Sequence, residues 1–422
     1  MKVISAKFLN DDRRKLGRNT AMLYLLTFSN FLFGFITIPY QTRILGPEYY
    51  GLIGLATALT MYFQLILDFG FILSATQRVA DNSDDNYRLS KIFTSVTCCK
   101  CLLSVLCMLI LSIICMYVGD YKKYFGLFLM YLIWAIVTSM LPDYIYRGLQ
   151  NMQTITYRTV AVKLLFTILI FIFMNKKEEY FLIPLFNIFG AFFALVWSFI
   201  DLYSRWSIKF IKVEIRDILE ELKASSLFFY SRIASTVSTS MNMILLRSIY
   251  GESTVLGYYT SADKIVSIAK AGSSPIADSI YPYMVRNKDF KLVKKILYIC
   301  MPFILLAGIW LFCNTNMVCS FIFGEEFLET GNILKYMIPI MVIILPTYIL
   351  GFPTMVPLGL SKQANFSNMF GATIQILGLL ICFFSGSLNI ISLCILTCIS
   401  EYATFLYRVI CIGLKIKTKN FI

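Results

Sequence analysis

The chain has 422 residues, of which 58% are hydrophobic and only 15% are charged. A soluble domain needs a charged surface, so this composition excludes one and indicates a polytopic membrane protein. A net charge of +14 would suggest a nucleic-acid partner for a soluble protein, but here the bases stand mostly between apolar segments, where they fit anionic lipid headgroups and membrane topology.

The sequence contains no histidine, which removes several kinds of chemistry. Ser-His-Asp and Cys-His catalysis and imidazole metal sites cannot form without it. The 12 cysteines fall almost all inside apolar runs, as in residues 98–101, where cysteine is a small buried hydrophobe. We therefore predict no disulfide, no metal site and no cofactor. The basic N-terminus has no apolar core before a cleavage site, so we expect no cleaved signal peptide.

A membrane-spanning helix needs about 20 mostly apolar residues. On that basis the sequence predicts an all-α integral membrane protein of about twelve spans. Their approximate extents are 19–41, 49–75, 91–118, 122–146, 157–175, 180–203, 225–249, 254–282, 293–314, 332–358, 364–385 and 388–412.

Lysine and arginine in the short loops predict the orientation. About 25 of these bases would lie on one side of the membrane and about 6 on the other. The minority consists of Arg43, Lys122, Lys123, Lys176, Lys177 and Arg247. This asymmetry predicts an even number of spans with both termini in the cytoplasm. The loop 314–332 carries three glutamates and no base, which suits the outer face.

The longest polar connection runs from Arg205 to Ser225 at the midpoint of the chain. Its apolar residues stand three or four apart, which predicts an amphipathic helix at the cytoplasmic interface. A solvated helix against the protein remains an alternative. These apolar residues are Ile208, Ile211, Ile215, Ile218, Leu219 and Leu222. We therefore predict an N-terminal six-helix lobe (1–204), a linker (205–224) and a C-terminal six-helix lobe (225–422).

The second half repeats features of the first. The sequence LPDYI at Leu141–Ile145 returns as LPTYI at Leu345–Ile349, 204 positions later. Arg43 and Arg247 share that offset, and each is followed by a glycine, an acid and another glycine. Because six helices bring the chain back to its starting side, the two halves must be parallel repeats related by an axis along the membrane normal.

The first hairpin carries a family resemblance. PYQTRILGPEYYGL followed by DFGFILSATQRVA resembles the polysaccharide and O-antigen flippases, often called Wzx, whose superfamily includes multidrug and toxin extruders and lipid II flippases. The residues that carry it best are Pro39, Arg43, Gly46, Gly51, Asp68, Gly70 and Arg78. The resemblance implies two six-helix bundles around a central cavity, as in the multidrug and toxin extruders. It also implies export of an undecaprenyl-diphosphate-linked oligosaccharide by alternating access.

Charges near mid-span are the candidates for transport. A charge inside hydrocarbon costs about 3 kcal/mol on insertion scales, so it survives where it faces a wet cavity or a partner. The bases are Lys100, Lys163, Arg232, Lys264 and Lys270, and the acids are Asp263 and Glu401. A cationic cavity would suit the diphosphate that the resemblance implies. The alternative is that several of these bases snorkel to an interface or pair with an acid, as we expect of Lys91 and Arg408.

The seventh span is unusually polar. Five of its residues fall on one broad face at helical spacing, which suits a sugar-phosphate headgroup or, equally, a helix contact. They are Arg232, Ser235, Thr236, Thr239 and Asn242. On the eighth span, Asp263 and Lys270 share a face, where they could pair, or Asp263 could bind a coupling H⁺ or Na⁺.

Other residues have predicted structural or gating roles. Gly46 and Gly51 permit a tight turn at the outer face beside Arg43, and Pro39 ends or kinks the first span. Asp68 and Arg78, on either side of Gly70, could form the ion pair of an inward gate, for which Asp143 is a further candidate. The alternative for the charged pair is topology anchoring.

The function most consistent with the sequence is a flippase for a lipid-linked oligosaccharide of O-antigen or capsule, in the bacterial inner membrane. We expect membrane lipids as partners, together with a polysaccharide polymerase and a chain-length regulator, and no nucleic acid. A cation-coupled multidrug exporter of the same superfamily is the alternative within transport. A membrane-bound polymerase or ligase is the alternative from a different class, but it would carry a large outer loop and no internal repeat, so we predict that the protein is not an enzyme.

Overall fold

The computed structural model describes the backbone of residues 2–251 and 253–419. It describes their side chains except at residues 2–17, 20, 119, 120, 227, 228, 230–232, 234–240, 282, 286 and 417–419. Every regular element in these ranges is a helix. The α-helices are α1 (Lys2–Asp68), α2 (Phe71–Asp81), α3 (Asn86–Tyr117), α4 (Gly119–Lys123), α5 (Phe125–Ser139), α6 (Asp143–Gly148), α7 (Met152–Phe173), α8 (Leu182–Arg205), α9 (Ile215–Tyr250), α10 (Ser253–Asn287), α11 (Phe290–Cys313), α12 (Thr315–Phe323), α13 (Leu328–Ile349), α14 (Ser361–Phe384) and α15 (Ile390–Lys419). Short 3₁₀ helices cover Lys177–Phe181 and Glu325–Phe327, and a π-helical segment covers Leu350–Thr354.

Nine segments of the described chain are long and apolar enough to cross a membrane. They are Ala21–Asp81, Asn86–Tyr117, Phe125–Gly148, Met152–Phe173, Lys177–Arg205, Phe290–Cys313, Glu325–Thr354, Ser361–Phe384 and Ile390–Ile416. The first contains the predicted spans 19–41 and 49–75, and the other eight coincide with eight further predicted spans. The predicted spans 225–249 and 254–282 lie within α9 and α10, which at 36 and 35 residues are also long enough to cross a bilayer.

The sequence predicts a five-residue turn, Arg43–Pro47, between the first two spans. In the structure the break is a single residue, Gly46. Helix α1 continues through Pro39 and breaks only at Gly46, whose φ of 66° and ψ of 175° are not helical. The prediction that Pro39 ends the first span is wrong. Proline removes one backbone donor, and a membrane helix tolerates that loss where protein or water supplies another partner for the freed carbonyl group.

Glycines bring the part of α1 beyond Gly46 into direct contact with α10. A β-carbon added to Gly51 would lie 1.9 Å from the carbonyl oxygen of Ser253, and one added to Gly257 would lie 1.9 Å from that of Pro47. Real β-carbons do not approach backbone atoms so closely, so only glycine fits at either position. Two helices can approach this closely only where small residues line the contact.

The chain divides into two compact units. The first unit comprises Met1–Ile38 and Ala56–Thr236, and the second comprises Pro39–Leu55 and Val237–Ile422. This grouping differs from the predicted lobes in two respects. The segment 39–55 groups with the second half of the sequence, because it packs against α10. The predicted linker 205–224 and residues 225–236 of the predicted C-terminal lobe group with the first unit.

The first part of that linker is irregular rather than helical. No helix covers the described residues 206–214, so the predicted amphipathic helix over 205–225 is wrong there. The backbone N–H of Lys209 donates to the hydroxyl of Ser90, and that of Ile211 donates to Thr94, both at 3.1 Å. Contacts with α3 therefore replace helical hydrogen bonds, and they bury Ile208. Helix α9 begins only at Ile215 and continues without interruption into the predicted seventh span.

The glycine contact between α1 and α10 predicts a difference between glycines of the same chain. We expect Gly51→Ala and Gly257→Ala each to lower the free energy of unfolding by about 1–3 kcal/mol, because a methyl group there must displace backbone. Gly34→Ala in α1 is the matched control, since its added β-carbon would meet nothing within 4 Å. Thermal unfolding in detergent measures the difference. Equal stability of the Gly51 and Gly34 variants would contradict the contact.

Candidate functional site

Lys100 contacts both α5 and α6 near the break between these two helices. Its side chain is buried, and its ammonium donates to the carbonyl oxygen of Ser139, the last residue of α5. The same ammonium lies 5.3 Å from the ring centre of Tyr144 in α6. A helix C-terminus has unpaired carbonyl groups and partial negative charge, both of which a cation satisfies. We predicted Lys100 as a substrate ligand, but these contacts give it the role of joining two helix ends.

Arg158 holds the start of α6 from the other side. This arginine, on α7, is completely buried. Its guanidinium donates to the carboxylate of Asp143 and to the hydroxyl of Ser198, each at 2.6 Å. The loop charges put Arg158 among the bases predicted on the cytoplasmic side, and Asp143 is a gate candidate, but the sequence does not predict that they pair. The recurrence of LPDYI marked this segment, but it carried no information about the partner.

The second unit contains a corresponding arrangement at Arg408. The prediction that Arg408 snorkels to an interface or pairs with an acid is wrong, because the residue is only 5% exposed and its guanidinium binds neutral groups. Its guanidinium donates to the carbonyl oxygen of Thr347 and to the side chains of Ser367 and Asn368. A β-carbon at Gly351, inside the π-helical segment, would lie 2.5 Å from one of its nitrogens. The irregular segment after LPTYI is thus held by a buried guanidinium, as α6 is in the first unit.

Arg78 forms its ion pair with Glu221 rather than with Asp68, so the predicted gate pair is wrong. Its guanidinium donates twice to the Glu221 carboxylate in a fork-like arrangement. Asp68 accepts a hydrogen bond from Gln64 at 3.2 Å. Between them, Gly70 has a φ of 81°, which starts α2 in a new direction.

Two further contacts attach the start of α9 to α2 and α3. The ammonium of Lys91 lies 2.8 Å from the Asp217 carboxylate, and the hydroxyls of Ser74 and Ser225 lie 2.5 Å apart. The hydrogen bond from Lys91 holds the pKa of the Asp217 carboxyl below its ordinary value, so this contact weakens only as the pH falls through that lowered pKa. A cavity of about 310 Å³ lies beside these pairs.

One mid-span base of the described chain is both exposed and without a carboxylate within ion-pairing distance. Lys163 stands in the middle of the 22-residue α7, and its ammonium donates to the side-chain oxygen of Asn30 on α1 at 2.7 Å. Asn30 is exposed as well and lies near the middle of the predicted first span. An ammonium group at membrane depth is costly without a polar partner, so Lys163 stays a candidate for contact with the substrate.

In the second unit, the mid-span base is paired with an acid. The ammonium of Lys270 on α10 lies 2.6 Å from the carboxylate of Glu401 on α15, and each side chain remains about 30% exposed. Asp263 and Lys264 lie two turns earlier on α10 and are partly buried. Pairing with Lys270 is one of the two roles that the sequence leaves open for Asp263, and in the structure Glu401 is the acid that pairs with Lys270.

A buried amide network crosses four helices of the second unit. Asn242 donates to the hydroxyls of Tyr259 and Thr397, each at 2.9 Å, and accepts from Gln375 at 3.1 Å. Asn242 and Gln375 are almost fully buried, and the side-chain oxygen of Gln375 has no donor in the described chain. The other predicted members of this face, Arg232, Ser235, Thr236 and Thr239, lie outside the described side chains.

Arg43 reaches across to the segment after α11. Its guanidinium donates to the carbonyl oxygen of Phe321 on α12 at 2.6 Å. Its repeat counterpart, Arg247, instead donates to the carbonyl oxygen of Gly251 at 2.6 Å, where the chain turns between α9 and α10. Both arginines thus stabilise the backbone near a glycine turn.

Comparison with known proteins identifies the family. A family described as polysaccharide biosynthesis protein matches residues 16–288, well over half of the chain. The chain belongs to the polysaccharide biosynthesis protein family. A protein of Shigella dysenteriae named "Putative O-antigen transporter" is 26% identical over 365 residues, covering 85% of this chain and 91% of that protein. A protein of Escherichia coli K12 with the same name is 26% identical over 300 residues, covering 69% and 70%.

Solved structures give this member of the polysaccharide biosynthesis family its fold. The lipid II flippase MurJ in an inward closed conformation has a TM-score of 0.71 at 14% identity, covering 93% of this chain and 87% of MurJ. An inward-facing multidrug transporter of the MATE family has a TM-score of 0.63 at 15% identity, covering 92% and 96%. The predicted fold class, an all-α membrane protein resembling the multidrug and toxin extruders, is confirmed.

The clamp at the start of α9 predicts unequal effects from two neighbouring arginines. We expect Arg78→Ala to lower the free energy of unfolding by about 3 kcal/mol, because it leaves the buried Glu221 carboxylate without its partner. Arg88→Ala should cost less than about 1 kcal/mol, because its pair with Asp85 is exposed. Thermal unfolding in detergent compares them, and similar losses for both variants would mean that Glu221 finds another partner.

Proposed function

We propose that this protein moves a lipid-linked oligosaccharide from the inner to the outer leaflet of a bacterial cytoplasmic membrane. Membership of the polysaccharide biosynthesis family, relatives named as O-antigen transporters and the MurJ-like fold all support this proposal. It describes a transporter rather than an enzyme, with an O-antigen or capsule repeat unit on undecaprenyl diphosphate as substrate. The termini would lie in the cytoplasm, and a polymerase and a chain-length regulator would act on the exported unit.

The exposed ammonium of Lys163 is the observation that carries the proposal. Its place in the middle of α7 puts a cation at membrane depth, and Asn30 beside it adds an amide. An ammonium can bind phosphate oxygens, whereas an amide suits sugar hydroxyls. A diphosphate headgroup could pass this face while its polyprenyl tail stays in the bilayer. The same cation would repel the cationic drugs that a multidrug exporter carries.

The pair of Lys270 and Glu401 is the candidate for energetic coupling. In the described conformation the carboxylate of Glu401 neutralises Lys270 at 2.6 Å. Proton uptake by Glu401 would release Lys270 as a free cation able to hold an anionic headgroup. We propose that an inward proton gradient drives this exchange and that the two units change their relative position by alternating access.

Removal of the exposed cation tests the proposed function. In cells lacking their own copy of the gene, we expect Lys163→Ala to reduce surface polysaccharide at least ten-fold at normal protein level. Lipid-linked repeat units should accumulate inside, because the headgroup loses its mid-membrane counter-charge. Lys163→Arg should retain part of the activity. The matched control is Lys176→Ala, an exposed lysine just beyond the end of α7. Normal export by the Lys163→Ala variant would refute the role of this cation.

The proposed coupling role of Glu401 leads to a separate prediction. We expect Glu401→Gln to abolish the response of transport to an imposed pH gradient in proteoliposomes, because glutamine cannot take up the proton. Exchange of labelled lipid-linked oligosaccharide without a gradient should continue. Glu329→Gln, in the outer acidic loop, serves as the control. An unchanged response to the gradient in the Glu401 variant would exclude this carboxylate as the coupling site.

A further inference from the structure

Three pairs of residues meet where α1 crosses α10. The contacts of the first two pairs are reciprocal: Gly51 faces the carbonyl group of Ser253, and Gly257 faces that of Pro47. One turn farther along, a β-carbon added to Gly54 would lie 2.2 Å from the hydroxyl oxygen of Thr260. All of these residues belong to the second unit.

The crossing joins equivalent positions of the internal repeat. Residues 47 and 253, 51 and 257, and 54 and 260 are each 206 positions apart. This offset exceeds that of Arg43 and Arg247 by two, because the second copy of the turn is two residues longer. Gly51 of the first copy contacts Ser253, which is the second copy's equivalent of Pro47. Pro47 of the first copy contacts Gly257, which is the second copy's equivalent of Gly51. A reciprocal contact of this kind is the property of a local two-fold axis. The two copies of the glycine turn therefore meet each other face to face.

Each crossing limb begins at a glycine break. Gly46 has a φ of 66° and Gly251 has a φ of 63°, and each precedes its limb of the crossing by a few residues. Residues at such positions can absorb a change in backbone angles while the helices on either side stay rigid. A contact made by smooth glycine surfaces can also part without disengaging interlocked side chains.

Phe327 forms a wedge beside the crossing. Its ring is completely buried and makes edge-to-face contacts with Tyr50 on α1 and Tyr258 on α10, with centroid distances of 6.2 Å to each. The ring of Phe323 lies 5.8 Å away. The segment that carries Phe327 is also bound by Arg43, through the carbonyl oxygen of Phe321. One aromatic residue thus contacts both limbs of the crossing.

We propose that this crossing is a closure on the face predicted to be outer, which parts and re-forms in each transport cycle, with Phe327 as its wedge. The proposal rests on the proposed transport function. From the sequence alone, the repeated glycine turn could have either a structural or a gating role. The proposal assigns it the gating role. A permanent strut of the second unit would use the same contacts without ever breaking them.

A reversible cross-link distinguishes a closure from a strut. In Gly54→Cys/Thr260→Cys, the two β-carbons would lie at disulfide distance, given the 2.2 Å approach to the threonine hydroxyl. We expect oxidation to reduce transport of lipid-linked oligosaccharide by proteoliposomes at least ten-fold and reduction of the disulfide to restore it. The single variants, treated in the same way, control for the native cysteines. Undiminished transport by the oxidised double variant would overturn the closure.

The same experiment separates failure of the closure from failure of the proposed function. Transport by the reduced double variant supports the proposed function whatever oxidation does. If neither the wild-type protein nor any variant moves lipid-linked oligosaccharide, the proposed function fails instead.

A second variant covers the case in which the cysteine pair does not fold. Phe327→Ala should increase at least five-fold the rate at which a membrane-impermeant maleimide, added outside, labels the native Cys319. This thiol is fully buried on α12, eight residues before Phe327 in the sequence. Labelling of Cys107, fully buried on α3 of the first unit, should not change. Site-resolved mass spectrometry reads both thiols. An unchanged rate at Cys319, or equal increases at both thiols, would refute the wedge.

Discussion

The cost of an unpartnered charge at membrane depth determines where the mid-span bases of this protein lie. Lys100, Arg158 and Arg408 are buried and bonded to backbone carbonyl groups, hydroxyls or a carboxylate, and Lys270 is paired with Glu401. Each of these contacts offsets a desolvation penalty of several kcal/mol (about 3 kcal/mol even on insertion scales). Lys163 differs because it is exposed and has only an amide beside it. That difference is the reason why the proposed function is built on Lys163.

The two halves of the sequence hold their repeated LPxYI segments with arginines that are not equivalent in the repeat. Arg158 stands on the first helix after the segment, whereas Arg408 stands on the second helix after it. Each also binds a serine of the other helix of its pair, Ser198 or Ser367. In the segment itself Arg158 binds the carboxylate of Asp143, whereas Arg408 binds the backbone carbonyl of Thr347, and a guanidinium with five donors can serve either acceptor. Both halves of the sequence therefore hold this segment with a buried arginine, but the arginine stands at a different place in each half.

This comparison explains which features the sequence could predict. Hydropathy is a local property, so the positions of most spans and the helical class follow from it. Partners distant in the sequence are not local, and for that reason the pairing of Arg78 with Glu221 and of Lys270 with Glu401 could not be predicted. The helix prediction for residues 206–214 was wrong for the same reason. The spacing of the apolar residues there fits more than one local structure, and the hydrogen bonds to α3 that decide between them are distant in the sequence.

Helix α9 connects the features that these contacts establish. Its first turns are clamped to α2 and α3 by Glu221 and Asp217, and its last turn leads through Arg247 into the glycine break at Gly251. The division between the two compact units falls within this helix, after Thr236. An unbroken helix of 36 residues is about 54 Å long. Its start is thus fixed within the first unit by two ion pairs, and its end is fixed within the second unit by the hydrogen bond from Arg247 to Gly251, because each end carries charges that find their partners locally.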